Sequence, residues 1–456
     1  MRQTLRRTGV LIVLVVLFAA GVGFLLWNLA SNGSEWAANR ANQHIYSNGT
    51  TVNSGSVFDR NGEALAYSED GERVFNSSKA VRMATLHIVG DTSGFISTGT
   101  QSLYRSKLSG YSLFEGIYRL KDGEADAGIT LNIDSEACRI AYEALGKYNG
   151  TVLVYNYKTG ELLCSVSKPT YDAHNVPDNL LTAKKYDGVF LDKAVSGVYT
   201  PGSVMKIVTA VAAYKNIPDI DSRTFECNGK YKCEDGTVIC NGKHGEVSFE
   251  EAFNKSCNSA FAEISIELGA EKLLAAANSL GFNTQLYSGS VRLAKSHFSP
   301  STTSESELGW AGIGQSTTLI NPAHLLSITG AIANSGNGYA PNRIKKFSDF
   351  WTNTSPKAQI IVTLDPVIAA KMQKLMRSTV VNKYGDSTFP DLEFCAKTGT
   401  AQLDDADSHS WIAGYSSRSD LPLAAVCIVE NGGWGSGPAT RVTNKIMQYF
   451  LDEYTN

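Results

Sequence analysis

Tyr199-Thr-Pro-Gly-Ser-Val-Met-Lys206 opens an apolar run that continues to Tyr214. Pro201-Gly202 breaks the chain just before the run, so a helix is predicted from Ser203 to Tyr214. That helix is apolar nearly all round and should be buried. Ser203 then sits at its N-terminus, and Lys206 lies one turn on along the same face. A serine hydroxyl is a weak nucleophile until a base removes its proton. A lysine serves as that base when burial disfavours its ammonium form. Val204, Met205, Ile207 and Val208 supply the apolar setting. The Ser203 N–H lies at the positive end of the helix, where a developing oxyanion is favoured.

Ser165-Val-Ser-Lys168 has the same spacing, but Pro169 follows Lys168. A residue before proline is pushed out of the helical region, so that pair would not share a helix face. Two further short motifs follow Ser203 in chain order. Ser256-Cys257-Asn258 falls inside a helix predicted over Glu250–Leu268, between Phe253 and Phe261. Ser256 is a candidate proton relay to a leaving amine, and Asn258 a candidate holder of Lys206 and of a substrate carbonyl. Lys397-Thr398-Gly399-Thr400 follows the strand-like Glu393-Phe-Cys-Ala396. Such a strand can accept a peptide along its edge, and Gly399 lets the two backbones approach. Lys397 brings positive charge, the Thr398 and Thr400 hydroxyls suit a terminal carboxylate, and the Thr400 N–H is a candidate second oxyanion donor. A second Lys-Thr-Gly, Lys158–Gly160, reads instead as a hairpin turn between the strands Thr151–Tyr155 and Glu161–Val166.

Working outward, Ile129–Asp134 reads as an extended entry and Ser135–Gly146 as a helix with Ile140, Ala141, Ala144 and Leu145 on one side. Trp411–Tyr415 and Leu423–Val429 read as strands and Val442–Tyr454 as a closing helix. Strands at both ends with helices between them argue for an α+β sandwich rather than a βαβ repeat. Arg2, Arg6 and Arg7 precede an uncharged apolar run from Gly9 to Leu29. That run is long enough to span a bilayer core of about 30 Å and longer than the apolar part of a cleaved signal peptide. The arginines place the N-terminus in the cytoplasm and the rest outside. The expected divisions are a tail at 1–8, an anchor at 9–29, a stalk and small α+β unit at 30–126, and the main domain at 127–456. Within the small unit, Asn61-Gly62 marks a hairpin.

The chain has 456 residues, 19% of them charged, with a formal net charge of −3. That balance carries no basic footprint for nucleic acid. Among the eight cysteines, Cys227, Cys233 and Cys240 lie close together. No C-x-x-C pair exists, so no zinc site is expected, whereas one disulfide within the trio is plausible outside the cell. Cys138, Cys164, Cys395 and Cys427 sit among apolar residues and read as buried thiols.

The ordered motifs Ser203-Val-Met-Lys206, Ser256-Cys-Asn258 and Lys397-Thr-Gly399 resemble those of class B penicillin-binding proteins. Tyr155-Asn-Tyr-Lys-Thr-Gly-Glu-Leu-Leu163, Val166–Asp172, Gly314-Gln315, Asn321-Pro322, Ala333–Gly336 and His409-Ser-Trp411 are similar to family segments as well. Ser54-Gly55 stands where the family has Arg-Gly. The resemblance implies a transpeptidase fold like that of serine β-lactamases: a mainly antiparallel sheet flanked by helices, with a helical lobe. It implies acylation of Ser203 by peptidoglycan stem peptides ending in D-alanyl-D-alanine, derived from lipid-linked precursor, and by β-lactams as mimics. It also implies a glycosyltransferase partner in the membrane and neither metal nor organic cofactor. A D,D-carboxypeptidase, a β-lactamase and a non-enzymatic β-lactam sensor are the alternatives, and no counterpart of the class A deacylating glutamate is found.

Overall fold

The computed structural model describes residues 2–47, 49–112, 116, 128–348, 353–402, 407–433 and 437–455. At its centre is a five-stranded antiparallel sheet. Its order is Phe394–Ala401, His409–Ser416, Leu423–Val429, Gly150–Asn156, Leu162–Lys168. The three middle strands are buried along nearly their whole length, which explains why they read as continuous apolar runs rather than as an alternation. Helices Ser135–Leu145 and Pro438–Thr455 pack together on one face. Pro322–Ala333 covers the other face, every residue but the last buried. Among the described residues Phe394–Ala401 is an edge strand, paired on one side, with all eight of its residues in register from Ala401↔His409 through Phe394↔Ser416.

The sequence places these elements to within a few residues. The first helix begins on Asp134, whose carboxylate accepts from the Glu136 and Ala137 N–H groups, a standard N-cap. Lys158–Gly160 is a turn between paired strands and Ser165 and Lys168 lie on a strand, so neither copy of the motifs faces a common site.

One helical expectation is corrected. The segment expected as a single helix over Glu250–Leu268 is two, Phe249–Asn254 and Asn258–Ser279, with Ser256 between them at φ 54°. Ser248 and Glu251 form a capping box at the start of the first, and Cys257 caps the second by accepting from the Ala260 N–H. No Gly or Pro marks the break, and the polar stretch 254–259 reads as readily as the exposed turn of one helix.

A second sheet of six strands joins the small N-terminal unit to the main domain. Ser56–Phe58 pairs antiparallel with Ala64–Glu69, across the expected Asn61-Gly62 hairpin, and parallel with Gly128–Leu131. Gly128–Leu131 in turn pairs with Ile344–Ser348 from far along the chain. The expected boundary at 126/127 lies outside the described residues. At Ser54-Gly55, the Ser54 carbonyl accepts from the buried Arg73 guanidinium at 2.8 Å, so an arginine reaches this point from the strand Glu72–Phe75. At the N-terminus, Arg2–Ala37 is one helix whose segment Arg6–Ala37 is long and apolar enough to cross a membrane, with mean hydropathy 2.9 in its most apolar window. The stalk expected at 31–49 is therefore helical up to Ala37.

Helix Lys79–Val89 of the N-terminal unit is bolted to the main domain. Arg82 makes a two-pronged ion pair with Asp172, 2.7 and 2.8 Å, with both side chains nearly buried. The same helix gives the Met83 carbonyl to Thr170 Oγ1 and sets the His87 ring against the Val189 carbonyl. The Arg82 guanidinium holds the Asp172 carboxyl down at about 2. Because that value lies below the free carboxylate range, the pair stabilises the fold above about pH 4 and fades as pH falls toward 2. Arg82→Ala is expected to cost about 3 kcal/mol at neutral pH, since it leaves a buried carboxylate unpaired. Denaturant unfolding should show the gap to wild type closing in acid.

Candidate active site

Ser203 lies in a 3-10 turn, Gly202–Met205, that runs directly into the helix Lys206–Asn216. The helix is buried from Lys206 through Ala213, as its all-round apolar pattern predicts. Lys206 Nζ is 3.2 Å from Ser203 Oγ, and the lysine has no exposure at all. Its other neighbours come from the break between the two helices. They are the Ser256 carbonyl at 2.7 Å, Asn258 Oδ1 at 2.7 Å and Ser256 Oγ at 3.1 Å. Asn258 Nδ2 donates to the Ile239 carbonyl at 2.9 Å, which fixes the amide with its oxygen toward Lys206.

This inventory accommodates a neutral amine. Two of the four neighbours are carbonyl-type oxygens that only accept, and they take two N–H bonds. The other two are hydroxyls, able to donate. A neutral amine therefore fits with both its protons placed and its lone pair free for the Ser203 O–H. Burial lowers the Lys206 ammonium to about 7, with the nearby Cys257 and Cys240 thiols opposing that shift. The Phe261 ring lies 5.6 Å from Nζ and adds to the apolar surroundings.

Lys397 reaches the same hydroxyl from the opposite side. Its Nζ is 3.0 Å from Ser256 Oγ and 3.0 Å from the Thr398 carbonyl, and it too is fully buried. Burial first, then the closeness of Lys206, hold it well below the usual lysine range. Ser256 thus bridges two amines, and a proton passing between them meets one hydroxyl. Lys397 lies behind Ser256, whereas Thr398 and Thr400 line the open cleft. Two cavities meet at Ser203 and Thr400, one bordered by Asn258, Trp310 and Gln315, the other by Ser256, Tyr384 and Thr398.

The turn and the edge strand touch through backbone, which glycine alone permits. Gly202 has φ 54°, and a Cβ there would lie 2.3 Å from the Thr400 carbonyl oxygen. A Cβ on Gly399 would meet the Pro201 carbonyl at 2.9 Å and the Val204 nitrogen at 3.1 Å. The Gly202 N–H donates to the Gly314 carbonyl at 2.8 Å. Trp411 Nε1 donates to the Thr200 carbonyl at 3.1 Å, and Tyr199 Oη to Glu430 at 2.9 Å, fixing the approach to the nucleophile.

All eight residues singled out from sequence, Ser203, Lys206, Ser256, Asn258, Lys397, Thr398, Gly399 and Thr400, fall in this one place. Tyr384 was missed. Its hydroxyl is 2.8 Å from Thr398 Oγ1 and accepts from the Thr398 N–H at 2.9 Å. It lies among polar residues at the end of a π-helical turn, Val380–Tyr384, with no sequence motif to mark it. The cysteine reading is corrected as well. All eight cysteines are free thiols, so the trio Cys227, Cys233, Cys240 holds no disulfide. Instead Cys227 and Cys240 gather with Cys257 and His244, while Cys233 stays apart. Cys138, Cys164, Cys395 and Cys427 are buried as expected.

Comparison with known proteins agrees with this geometry. Residues 150–448 match the family model of the penicillin-binding protein transpeptidase domain. The peptidoglycan D,D-transpeptidase PbpA of Mycolicibacterium smegmatis is 26% identical over 95% of this chain and 94% of its own length. MrdA of Haemophilus influenzae, also a peptidoglycan D,D-transpeptidase, is 22% identical over 84% of this chain and 66% of its own. Among solved structures, the imipenem acyl-enzyme of penicillin-binding protein A from M. tuberculosis superposes with a TM-score of 0.78 at 22% identity, covering 88% of this chain and 98% of that one. The family match spans most of the chain and contains every residue of the amine-bridged cleft, so the chain belongs to the penicillin-binding protein transpeptidase family, as a class B member.

Proposed function

We propose that this chain is a membrane-anchored peptidoglycan D,D-transpeptidase, a serine acyltransferase that works through Ser203. The observation that carries the reading is the convergence of Ser203, Ser256 and Asn258 on one buried amine, with Lys206 Nζ 3.2 Å from the Ser203 hydroxyl oxygen. A stem peptide ending in D-alanyl-D-alanine lies along the edge strand Phe394–Ala401 as an added strand. Its terminal carboxylate meets the Thr398 and Thr400 hydroxyls, with Lys397 supplying the field from behind. Lys206 takes the Ser203 proton as Oγ attacks the penultimate carbonyl. The N–H groups of Ser203 and Thr400 receive the oxyanion, a contribution of about 3–4 kcal/mol for one such donor. The proton passes from Lys206 through Ser256 to the departing amine, and D-alanine leaves. An amine from a neighbouring strand then attacks the acyl-enzyme by the reverse route, regenerating Ser203. Asn258 keeps Lys206 in place and faces the cleft to hold a substrate carbonyl.

β-Lactams acylate Ser203 as mimics of the donor. The apolar run 9–29 anchors the chain, with residues 1–8 in the cytoplasm and the units 30–126 and 127–456 outside. The donor comes from lipid-linked precursor, and a membrane glycosyltransferase works beside this chain.

Fluorescent penicillin is expected to label the chain covalently and Ser203→Ala not at all. Incubation with a stem pentapeptide donor and an amine acceptor should give the cross-linked product. Trimming alone would make the chain a carboxypeptidase, and no acylation at all of the folded chain would overturn the reading. Lys206→Arg keeps the charge but cannot lose its proton, so acylation should fall by about 10²–10⁴-fold.

With Lys206 lowered to about 7, the amine is mostly protonated at pH 6 and mostly neutral at pH 8. The acylation rate should therefore climb through pH 7 and level off above it. A flat profile between pH 5 and 9 would count against Lys206 as the base. Gly202→Ala should slow acylation about a hundredfold, because the turn and the Thr400 carbonyl must move apart.

A further inference from the structure

Behind the turn that carries Ser256 and Asn258, four metal-ligating side chains converge. They are Cys227, Cys240, His244 and Cys257, and their ligand atoms all lie within 4.8 Å of one another. The elements that bring them are the end of strand Thr224–Cys227, the segments just after strand Thr237–Ile239 and just before strand Gly245–Ser248, and the N-cap of helix Asn258–Ser279. The catalytic reading gives this cluster no task.

We propose that Cys227, Cys240, His244 and Cys257 form a structural zinc site that clamps the turn bearing Ser256 and Asn258. The distances suit a tetrahedron. Zinc–sulfur bonds of about 2.3 Å and zinc–nitrogen bonds of about 2.1 Å set S···S edges near 3.8 Å and S···N edges near 3.6 Å. Cys240 Sγ and Cys257 Sγ are 3.9 Å apart. His244 Nδ1 is 3.5 Å from Cys227 Sγ and 3.7 Å from Cys240 Sγ. Three soft thiols and an imidazole select zinc over magnesium or calcium, and four protein ligands make a closed, structural site rather than an open catalytic one.

The surroundings are those of thiolate ligands. The Asn258 N–H donates to Cys240 Sγ at 3.2 Å and the Ala260 N–H to Cys257 Sγ at 3.5 Å. Ser259 Oγ sits 3.4 Å from Cys227 Sγ. Such outer contacts orient ligands and hold their charge. Binding releases one proton from each thiol, and His244 ligates neutral through Nδ1.

The spacing is Cys-x12-Cys-x3-His-x12-Cys, without the short Cys-Cys pair whose absence argued against zinc. The strand pairing supplies the proximity instead, since Gly245 lies opposite Cys227 across two antiparallel strands. Cys257 stands between Ser256 and Asn258, so metal ligation there fixes both neighbours against Lys206. That effect on acylation rests on the acyl-transfer reading, whereas the metal itself does not.

The test uses the full chain purified in detergent without chelators. Mass spectrometry of metals should find about one zinc per chain, lost in Cys227→Ser and Cys240→Ser and kept in Cys233→Ser. Exchange with cobalt should give the visible bands of a tetrahedral thiolate site in wild type and Cys233→Ser alone. Stripping zinc from wild type should slow acylation by fluorescent penicillin about tenfold or more, and zinc should restore it. Because wild type is compared with itself, that result does not depend on whether a variant folds. The site is overturned if the folded chain carries no zinc while these thiols react freely, if peptide mapping finds a Cys240–Cys257 disulfide, or if Cys240→Ser keeps its metal. Zinc bound but stripped without effect on acylation would overturn the clamp.

Discussion

A primary amine with no access to water must have its protons placed by protein, and Lys206 is where the fold meets that demand. An unpaired buried ammonium would cost several kcal/mol, and a neutral amine still needs two acceptors. The helix that carries Lys206 offers none, because its own carbonyls are spent on helical bonds. Both acceptors come from residues 256–258, fifty positions later. The helix of Lys206 and the turn at Ser256 are thus obliged to meet at a single nitrogen atom. Once they do, the Ser203 and Ser256 hydroxyls are left beside the amine. Reactivity is a by-product of how the lysine is made tolerable to the core.

The sheet supplies the other half of the site by a different means. Strand Phe394–Ala401 is held in register by all eight of its residues, so its position is rigid. The nucleophile turn is then pressed onto it at Gly202 and Gly399, where no side chain stands between the two backbones. Any other residue at either point would push Ser203 away from Thr400. Oxyanion stabilisation depends on donors fixed before the charge develops, and backbone-to-backbone contact is the stiffest way to fix them. The proposed strand addition needs an open edge, and among the described residues the fold leaves one there and covers both faces of the sheet with helices.

Much of this was legible in the sequence because the residues concerned obey local rules. The strands Gly150–Asn156 and Leu423–Val429 announce themselves as apolar runs, and the helix Ser135–Leu145 by the spacing of its apolar side. The motif residues converge as chain order suggested. What escaped is what tertiary contacts alone decide. Tyr384 has no neighbours in sequence that speak of chemistry, and its role against Thr398 exists only after the π-helical turn brings it there. The clustered cysteines and histidine have twelve residues between them in two of three intervals, so no short window reveals them. The break at Ser256 was missed because the polar stretch 254–259 reads as one exposed helical turn between Phe253 and Phe261.

That break deserves a physical reason, since a glycine would adopt φ 54° at no cost while a serine gives up about 1–2 kcal/mol. The backbone around Ser256 holds it there. Its N–H donates to the Phe253 carbonyl at 3.1 Å, and the Cys257 N–H to the Ala252 carbonyl at 2.8 Å. Cys257 then starts the next helix as its cap. A continuous helix would spend the Ser256 carbonyl on an N–H four residues on. The turn instead frees that carbonyl for Lys206 and projects Oγ between the two amines. Glycine would keep the carbonyl but lose the hydroxyl that links Lys206 to Lys397. A serine satisfies both requirements, and under the proposed proton path local preference yields here to the hydroxyl between the two amines.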